Sequence, residues 1–268
     1  MKRLFGIVTS SLPLAVVAFF VCSTEAAQIG NWQFNNNLNN SLSGGAAMSI
    51  FGGWSGPFVN DTIDGSSATA LSFPAMAADT QSLQMPNQAG ANGGGVDTNE
   101  WTIVMDLKFP TIPGFISLWQ TDQNIGANDG DFFVRGDGAI GISGNYHGVV
   151  TPNNWHRVAV AVSHSGGAPT LNKYINGVLA GTTTPGGALD DRHAVKAVLN
   201  LFGDEDGETA AGLLNSLAFY NSALTANQIG ALGGATATGI GAIPEPSCFA
   251  LAASALALLA AIRRGRLV

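Results

Sequence analysis

The sequence has only two cysteines, Cys22 and Cys248, among its 268 residues. Both lie in the terminal segments, so the body between residues 28 and 243 contains no cysteine. A small scaffold stapled by disulfide bonds is therefore excluded for the body. About 216 residues are enough to bury a sizeable hydrophobic core, and a single all-β domain of this length is common.

Charge is also scarce, at 11% of residues. The body keeps six of the 11 basic residues and 16 of the 18 acidic residues, which gives it a formal net charge of −10. Nucleic acids bind through clustered lysine and arginine, so such a surface repels a phosphate backbone. The composition excludes nucleic acid as a partner and favours soluble cations.

Sequence patterns typical of several enzyme classes are missing as well. The body has no G-x-S-x-G nucleophile elbow, no phosphate-binding P-loop and no cysteine nucleophile. The four histidines of the chain show no H-E-x-x-H spacing. We therefore expect a protein that is not an enzyme.

The first 27 residues have the pattern of a secretory signal peptide. Lys2 and Arg3 give a positive start, an apolar run follows, and small residues lead to Ala26 and Ala27. We predict a signal peptide over residues 1–27 that is cleaved at Ala26 or Ala27. An uncleaved signal anchor is the alternative.

The last 25 residues combine a Pro-Glu-Pro triplet, a short apolar run and an arginine cluster. The apolar run, Cys248–Ile262, has 15 residues. As a helix it would cover roughly 22 Å, less than the ~30 Å hydrocarbon core of a bilayer. The motif residues are Pro244, Glu245, Pro246, Arg263, Arg264 and Arg266.

This order of features resembles the bacterial PEP-CTERM sorting signal. The resemblance implies that residues 244–268 form a tail with a hydrophobic helix, which is recognised by an exosortase-type membrane enzyme. It implies transient membrane association through that tail, with the arginines on the cytoplasmic side. The protein is then expected to be exported to the cell envelope or extracellular matrix of a bacterium.

Short apolar stretches separated by glycine and asparagine clusters predict β-strands throughout the body. In "HRVAVAVS", residues 156–163, the valines share one face with His156, which predicts a half-buried strand with a packed histidine. Asn176-Gly177 lies between two β-forming runs and predicts a hairpin with a type I′ turn. Further strands are predicted over 101–109, 115–120, 131–134, 139–143, 197–202 and 213–220.

One short helix is predicted near the end of the body. Thr225 and Gln228 form a capping box, and Gly233-Gly234 ends the helix. Because strands and helices do not alternate, the pattern predicts an all-β fold, an antiparallel two-sheet sandwich or jelly roll. A Gly/Ala/Thr-rich linker, 235–243, is expected to connect this domain to the tail.

Four segments of the body resemble LamG-like jelly-roll domains of the concanavalin A-like lectin/glucanase superfamily. They are "TPNNWHRVAVAVS", "KYINGVLAGT", "LDDR" and "LNLFGDEDGETAAGLLNSLAFYNSALTANQIGALG", and their order carries the resemblance. It implies a jelly-roll domain over residues 28–234 that binds glycans or other proteins, in some members with calcium. Related glucanases place catalytic carboxylates on an E-x-D-x-E run, and no glutamate of the body has that spacing.

The run "GDEDGE" contains the densest group of candidate metal ligands in the sequence. Asp204, Asp206 and Glu208 supply hard oxygen ligands around a glycine turn, as calcium requires. The distal bidentate glutamate of an EF-hand is missing, so the run favours a solvated acidic loop, with a simpler calcium site on these three residues as the alternative. A second oxygen-rich run, 121–131, is more typical of a connecting loop, and a shared site is expected only if the two loops meet.

Exposed aromatic rings bind sugars by stacking on a pyranose face. We predict Tyr146, in the turn-rich run "SGNYHG", as a ligand-binding residue. Trp54, Trp119 and Trp155 are candidates by residue type, but such residues are more typical of a sandwich core. The sequence thus predicts an exported, non-catalytic LamG-like protein that binds polysaccharide. The alternatives are a surface protein that recognises matrix proteins and a divergent glycoside hydrolase.

Overall fold

The computed structural model describes residues 26–121, 123–125, 130–164 and 167–243. These residues are folded mainly into β-strands, with one helix, α1 (Ala226–Leu232). The strands are β1 (Gln28–Trp32), β2 (Ser49–Phe51), β3 (Phe58–Ile63), β4 (Ser66–Phe73), β5 (Ser82–Pro86), β6 (Trp101–Lys108), β7 (Ile116–Gln120), β8 (Phe132–Val134), β9 (Ile140–Ile142), β10 (Asn145–His147), β11 (His156–Ser163), β12 (Thr170–Ile175), β13 (Val178–Thr183), β14 (Val198–Leu201) and β15 (Gly212–Tyr220).

The strands form two antiparallel sheets. The first sheet has the order β13-β12-β11-β6-β15-β4-β3, and β1 also pairs with β15. The second sheet has the order β10-β9-β8-β7-β14-β5-β2. Side chains from both sheets form one hydrophobic core, as in a jelly roll. The predicted all-β antiparallel sandwich with one short helix is confirmed.

The core between the sheets is filled by large apolar side chains that alternate along each strand. In β6, Ile103, Met105 and Leu107 point into it. From the second sheet, Trp119 stacks on Phe132 with the ring centroids 4.5 Å apart. Rings of this size contribute most of the buried apolar area of a sandwich. Packing therefore stabilises a body that has no cysteine.

Strand β11 has the predicted bounds but is buried on both faces. Its valines point into the core between the sheets. On the opposite face, Ala159 and Ala161 belong to a second apolar cluster that includes Ile229 of α1. The prediction of a half-buried strand was wrong because α1 covers the outer face of the first sheet.

Two local predictions are confirmed. Thr225 is the N-cap of α1, its side chain and that of Gln228 form the capping box, and Gly233 is the C-cap. In the hairpin between β12 and β13, Asn176 and Gly177 have φ values of 51° and 80°. Both values are left-handed, as a type I′ turn requires.

The residues after α1 fold back along the outer face of the first sheet. Ile240 is buried, and its carbonyl accepts hydrogen bonds from Asn31 Nδ2 (3.1 Å) and Gln33 Nε2 (3.2 Å). The segment 235–243, predicted as a linker, is thus packed against the domain. We call this segment the strap.

A buried ion pair lies beneath the strap. Arg157 donates to Asp106 from Nε to Oδ1 and from Nη2 to Oδ2, both at 2.7 Å, and both side chains are almost fully buried. The same guanidinium donates to the carbonyls of Leu232 and Gly239. One side chain therefore fixes the end of α1 and the strap to the sheet.

The predicted signal peptide and sorting tail fall mostly outside the described residues. Ala26 and Ala27 are described, and β1 begins immediately after them, at Gln28. The sorting-motif residues Pro244, Glu245, Pro246, Arg263, Arg264 and Arg266 lie outside the described ranges. Within those ranges, no helix has both the length and the apolar character needed to cross a membrane.

Candidate functional site

Tyr146 lies on the outer face of the second sheet. In β9, Ile140 and Ile142 point into the core, so Gly141 between them faces outward. Gly141 is directly opposite Tyr146 of β10 on one side and Phe133 of β8 on the other. Directly opposite residues share a face of the sheet, so all three point away from the core.

Tyr146 belongs to a small aromatic and charged surface. Its ring centroid is 5.8 Å from that of Phe115, which is 39% exposed, and the Arg135 guanidinium lies 4.8 Å from the Tyr146 ring. Arg135 also pairs with Asp137 at 2.6 Å. We call the surface formed by Phe115, Phe133, Arg135 and Tyr146 the Tyr146 face.

The phenol group of Tyr146 is available for a ligand. Tyr146 itself is only half-buried, and its hydroxyl forms no hydrogen bond within the described part of the chain. Burial raises the pKa of Tyr146, and the nearby charges of Glu208 and Asp131 raise it further, while Arg135 opposes them. The hydroxyl therefore stays protonated and can both donate and accept a hydrogen bond.

In the acidic loop, Asp204 is used by the protein itself. The side chain is 2% exposed, and its Oδ2 accepts hydrogen bonds from the backbone N–H groups of Asp206 (2.9 Å) and Glu208 (2.8 Å). Its Oδ1 accepts from Gln120 Nε2 at 3.2 Å. Burial raises the pKa of Asp204 although these hydrogen bonds favour the ionised form. This carboxyl group fixes the loop to β7.

The acidic loop and Tyr146, which are far apart in the sequence, lie close enough for the charge of Glu208 to act on Tyr146. The Glu208 carbonyl accepts a hydrogen bond from the Ser117 N–H at 2.7 Å, and Ser117 is opposite Phe133. Burial and the charges of neighbouring acidic residues raise the pKa of Glu208. No local sequence pattern indicates this proximity.

The second oxygen-rich run reaches the same area in part. The charge of Asp131 acts on Tyr146, as described above. Residues 122 and 126–129 of this run lie outside the described ranges. A site shared by the two loops therefore stays a prediction.

The described residues do not gather a ligand set for calcium. Among them, no three histidine, cysteine, aspartate or glutamate side chains are placed to hold a metal ion. Asp204, Asp206 and Glu208 do not converge, because Asp204 is turned toward backbone N–H groups of its own loop. In this conformation the loop does not fit calcium, and calcium binding stays a prediction.

Three of the four histidines, His156, His164 and His193, are buried in the fold. His156 is 9% exposed, and its Nε2 accepts a hydrogen bond from the Thr151 N–H at 3.0 Å, which confirms its place in the packed strand. Desolvation lowers the pKa of His193 to about 4, so this ring is neutral at physiological pH.

The tryptophans differ in exposure. Trp54 and Trp119 are core residues, as their type suggests. Trp155 is only half-buried, and its Nε1 donates to Asp61 Oδ2 at 3.2 Å. Phe115 and Arg135 were not predicted as site residues, because nothing in their local sequence shows that they flank Tyr146.

A laminin G family model, described as the concanavalin A-like lectin/glucanases superfamily, matches residues 87–230. No curated protein matches the chain.

Several solved structures have a similar fold. Domain 4 of AbnA, an extracellular arabinanase of glycoside hydrolase family 43 from Geobacillus stearothermophilus, was solved in complex with arabinotriose. It is 17% identical with a TM-score of 0.56, and the match covers 77% of this chain and 98% of that domain.

Two toxin domains are similar as well. The binding domain of paraclostridial mosquitocidal protein 1 is 13% identical with a TM-score of 0.52, over 76% of this chain and 51% of that one. The binding domain of botulinum neurotoxin serotype D/C VPI 5993 is 12% identical with a TM-score of 0.50, over 76% and 50%. The chain therefore spans about half the length of these toxin domains. Since the family match covers more than half of its residues, the chain belongs to the concanavalin A-like lectin/glucanases superfamily.

Proposed function

We propose that this protein is a non-catalytic carbohydrate-binding protein that binds a neutral polysaccharide on the Tyr146 face. The observation that carries the proposal is the open aromatic pair of Tyr146 and Phe115 on the outer face of the second sheet. The C–H face of a sugar packs on such rings, and its hydroxyl groups bond to nearby polar groups. The Tyr146 hydroxyl, Arg135 and Glu208 supply those groups.

The charge of the body supports a neutral ligand. Its formal net charge is −10, and Glu208 and Asp131 act on Tyr146 at the site itself. An acidic polysaccharide would be repelled by this surface. The arabinotriose bound to domain 4 of AbnA supports a role for this fold in sugar binding, although 17% identity relates only the folds.

Export to the bacterial envelope or extracellular matrix is part of the proposal. It is supported by the resemblance of residues 1–27 to a signal peptide and of 244–268 to a sorting tail that an exosortase-type enzyme processes. β1 begins at Gln28, so cleavage after Ala27 would leave the first strand whole. Mass spectrometry of the secreted protein tests this, because an intact C-terminus would contradict tail processing.

Recognition of other proteins is the second candidate function. The edge strand β13 exposes Val178 (70%) and Leu179 (50%), and the edge strand β2 exposes Ile50 and Phe51. Apolar side chains on an open sheet edge favour pairing with another polypeptide. The toxin binding domains with similar folds make such a role reasonable for this architecture.

Isothermal titration calorimetry against neutral and acidic polysaccharides tests the proposal. We expect the protein to bind at least one of arabinan, xylan and dextran, and not alginate. Tyr146→Ala should weaken that binding about tenfold or more, because the ring contact is lost. Phe51→Ser, on β2 at the opposite edge of the second sheet from β10, is the matched control and should bind like the wild type.

Other outcomes would favour the alternatives. If no polysaccharide binds and the protein self-associates in a manner that Leu179→Ser abolishes, protein recognition becomes the better function. Release of reducing ends from a polysaccharide, lost in Glu208→Ala, would identify a hydrolase and contradict the non-catalytic role.

A further inference from the structure

An open groove lies on the outer face of the first sheet, apart from the Tyr146 face. It encloses about 560 Å³, a volume in the range of small-molecule sites. It is bounded by the β3–β4 turn, the end of β6, the loop before β11, the β12–β13 turn and the start of the strap. We call it the Trp155 groove, and its main lining residues are Thr62, Asp64, Lys108, Asn153, Trp155 and Thr236.

Trp155 is unusual among the tryptophans of this chain. Trp32, Trp54, Trp101 and Trp119 are buried in the core, with at most 7% of each exposed. Trp155 alone is half-buried, and it borders the groove. Part of the Trp155 ring is therefore open to the groove, where a ligand would cover it.

The indole is held in place before any ligand arrives. Its Nε1 donates to Asp61 Oδ2 at 3.2 Å, and the Lys108 ammonium lies 5.7 Å from the ring centroid. Lys108 and Asp61 form an ion pair, and both side chains are largely buried. Burial raises the pKa of Asp61, but Lys108 and the other hydrogen bonds outweigh it and lower the pKa overall. A ring fixed on two sides loses little entropy on binding.

The polar groups around the ring suit an uncharged ligand rich in hydroxyl groups. Lys108 and Asp61 neutralise each other, and Asp64 adds a negative charge that disfavours an acidic ligand. The side chain of Asn153 is exposed and has no hydrogen-bond partner in the described part of the chain. An amide side chain both donates to and accepts from a hydroxyl group.

The two sites lie on opposite sides of the core. Lys108 faces outward from the first sheet because Leu107 and Phe109, its neighbours in the chain, point into the core. Tyr146 faces outward from the second sheet, for the reason given above. One short oligosaccharide therefore cannot occupy both sites at once.

From these observations we infer that the Trp155 groove is a second binding site for a neutral saccharide, with the sugar stacked on Trp155. The chain would then bridge two polysaccharide strands. This inference rests on the proposed function for the class of ligand, but not for the existence of the site.

The test uses the whole protein and a neutral polysaccharide that it binds, together with a short oligosaccharide cut from it. Arabinotriose and arabinan are the first probes. Calorimetry with the trisaccharide should give two sites per chain for the wild type and one for either Tyr146→Ala or Trp155→Ala. Light scattering should show that the wild type cross-links arabinan and that both single variants do not.

Trp155→Phe separates binding from folding. It keeps a ring in the groove but loses the N–H bond to Asp61. Its affinity at the second site should lie between those of the wild type and Trp155→Ala, and its unfolding midpoint should be unchanged. If Trp155→Ala keeps both the stoichiometry and the cross-linking of the wild type, the second site is wrong while the proposed function stands. If wild type and variants all fail to bind any neutral saccharide, the proposed function and the second site are both wrong.

Discussion

Asn176 and Arg157 hold one another through paired hydrogen bonds. The Arg157 N–H donates to Asn176 Oδ1 at 2.9 Å, and the Asn176 N–H donates to the Arg157 carbonyl at 2.8 Å. The β12–β13 turn is thereby attached to the start of β11, the strand whose Arg157 side chain fixes the strap. Turn, strand and strap form one connected unit.

The first prediction concerns the turn. Gly177→Ala should lower the free energy of unfolding by about 1–2 kcal/mol, because an L-residue is strained in the left-handed region. Its φ is 80°, and a Cβ would lie 3.2 Å from the Gly233 Cα. Urea denaturation measures the change. Gly114→Ala is the control, since a Cβ there meets open space, and an equal loss in both variants would contradict the strain argument.

The second prediction concerns the buried ion pair. Arg157→Met should destabilise the protein by about 3–5 kcal/mol, because it leaves Asp106 as an unpaired buried charge. Replacing both partners, with Arg157→Met and Asp106→Leu, should restore part of that loss. Arg135→Met breaks an exposed pair with Asp137, which water screens, and should have a much smaller effect on stability. Similar losses at the two arginines would show that burial does not decide the effect.

The third prediction concerns acid pH. His193 is neutral in the folded protein, with a pKa of about 4, whereas in the unfolded chain its pKa is 6.5. The unfolded state then binds more protons between these values, so stability is full above pH 6.5 and is lost as the pH falls toward 4. At pH 5 the loss should be about 2 kcal/mol. His193→Gln should lose less between pH 7 and pH 5, and parallel profiles for both proteins would contradict the assignment.

The fourth prediction concerns the acidic loop. The raised pKa of Glu208 means that its ionisation opposes folding, so stability is lost as the pH rises through that pKa. Glu208→Gln should raise the unfolding free energy at pH 7 by at most about 1 kcal/mol, and the gain should vanish at pH 3. Asp64→Asn, an exposed acid in the β3–β4 turn, is the control for net charge. A gain that persists at pH 3 would point to packing as its cause.

Calcium binding has a direct test in the same loop. An ion that binds only the folded state stabilises it and so raises the thermal midpoint. At a hundredfold excess over its dissociation constant the stabilisation is about 2.7 kcal/mol. A shift with calcium that chelator reverses and Asp206→Asn removes would support the predicted site. An unchanged midpoint would leave Asp204 with its structural role alone.

Local features of the fold could be predicted from the sequence. The Asn176-Gly177 turn and the Thr225 capping box depend on adjacent residues, and both were found in the structure. β10 has only three residues, and the sequences of β2 to β5 show no clear alternation of apolar and polar residues. These strands therefore could not be predicted from a sequence pattern. Short strands depend on pairing partners that the local sequence does not show.

The candidate site was harder to predict because its parts come from distant segments. Tyr146 was chosen for its turn-rich surroundings and does lie at the surface. Its association with Glu208 depends on the register of three strand pairs and on the Ser117–Glu208 hydrogen bond. Arg157 likewise meets Asp106 from 51 residues away in the sequence. Tertiary pairing of this kind has no period or spacing that reveals it.

The strap gives the domain a defined mechanical behaviour. The carbonyl of Ile240 is bound by Asn31 and Gln33, next to β1, and the carbonyl of Gly239 is bound by Arg157. A force that pulls the chain at residue 243 therefore acts first on these bonds together, and reaches the sheets only after they break. If residues 244–268 anchor the domain, as the proposed sorting requires, we expect the strap to detach before the sandwich unfolds.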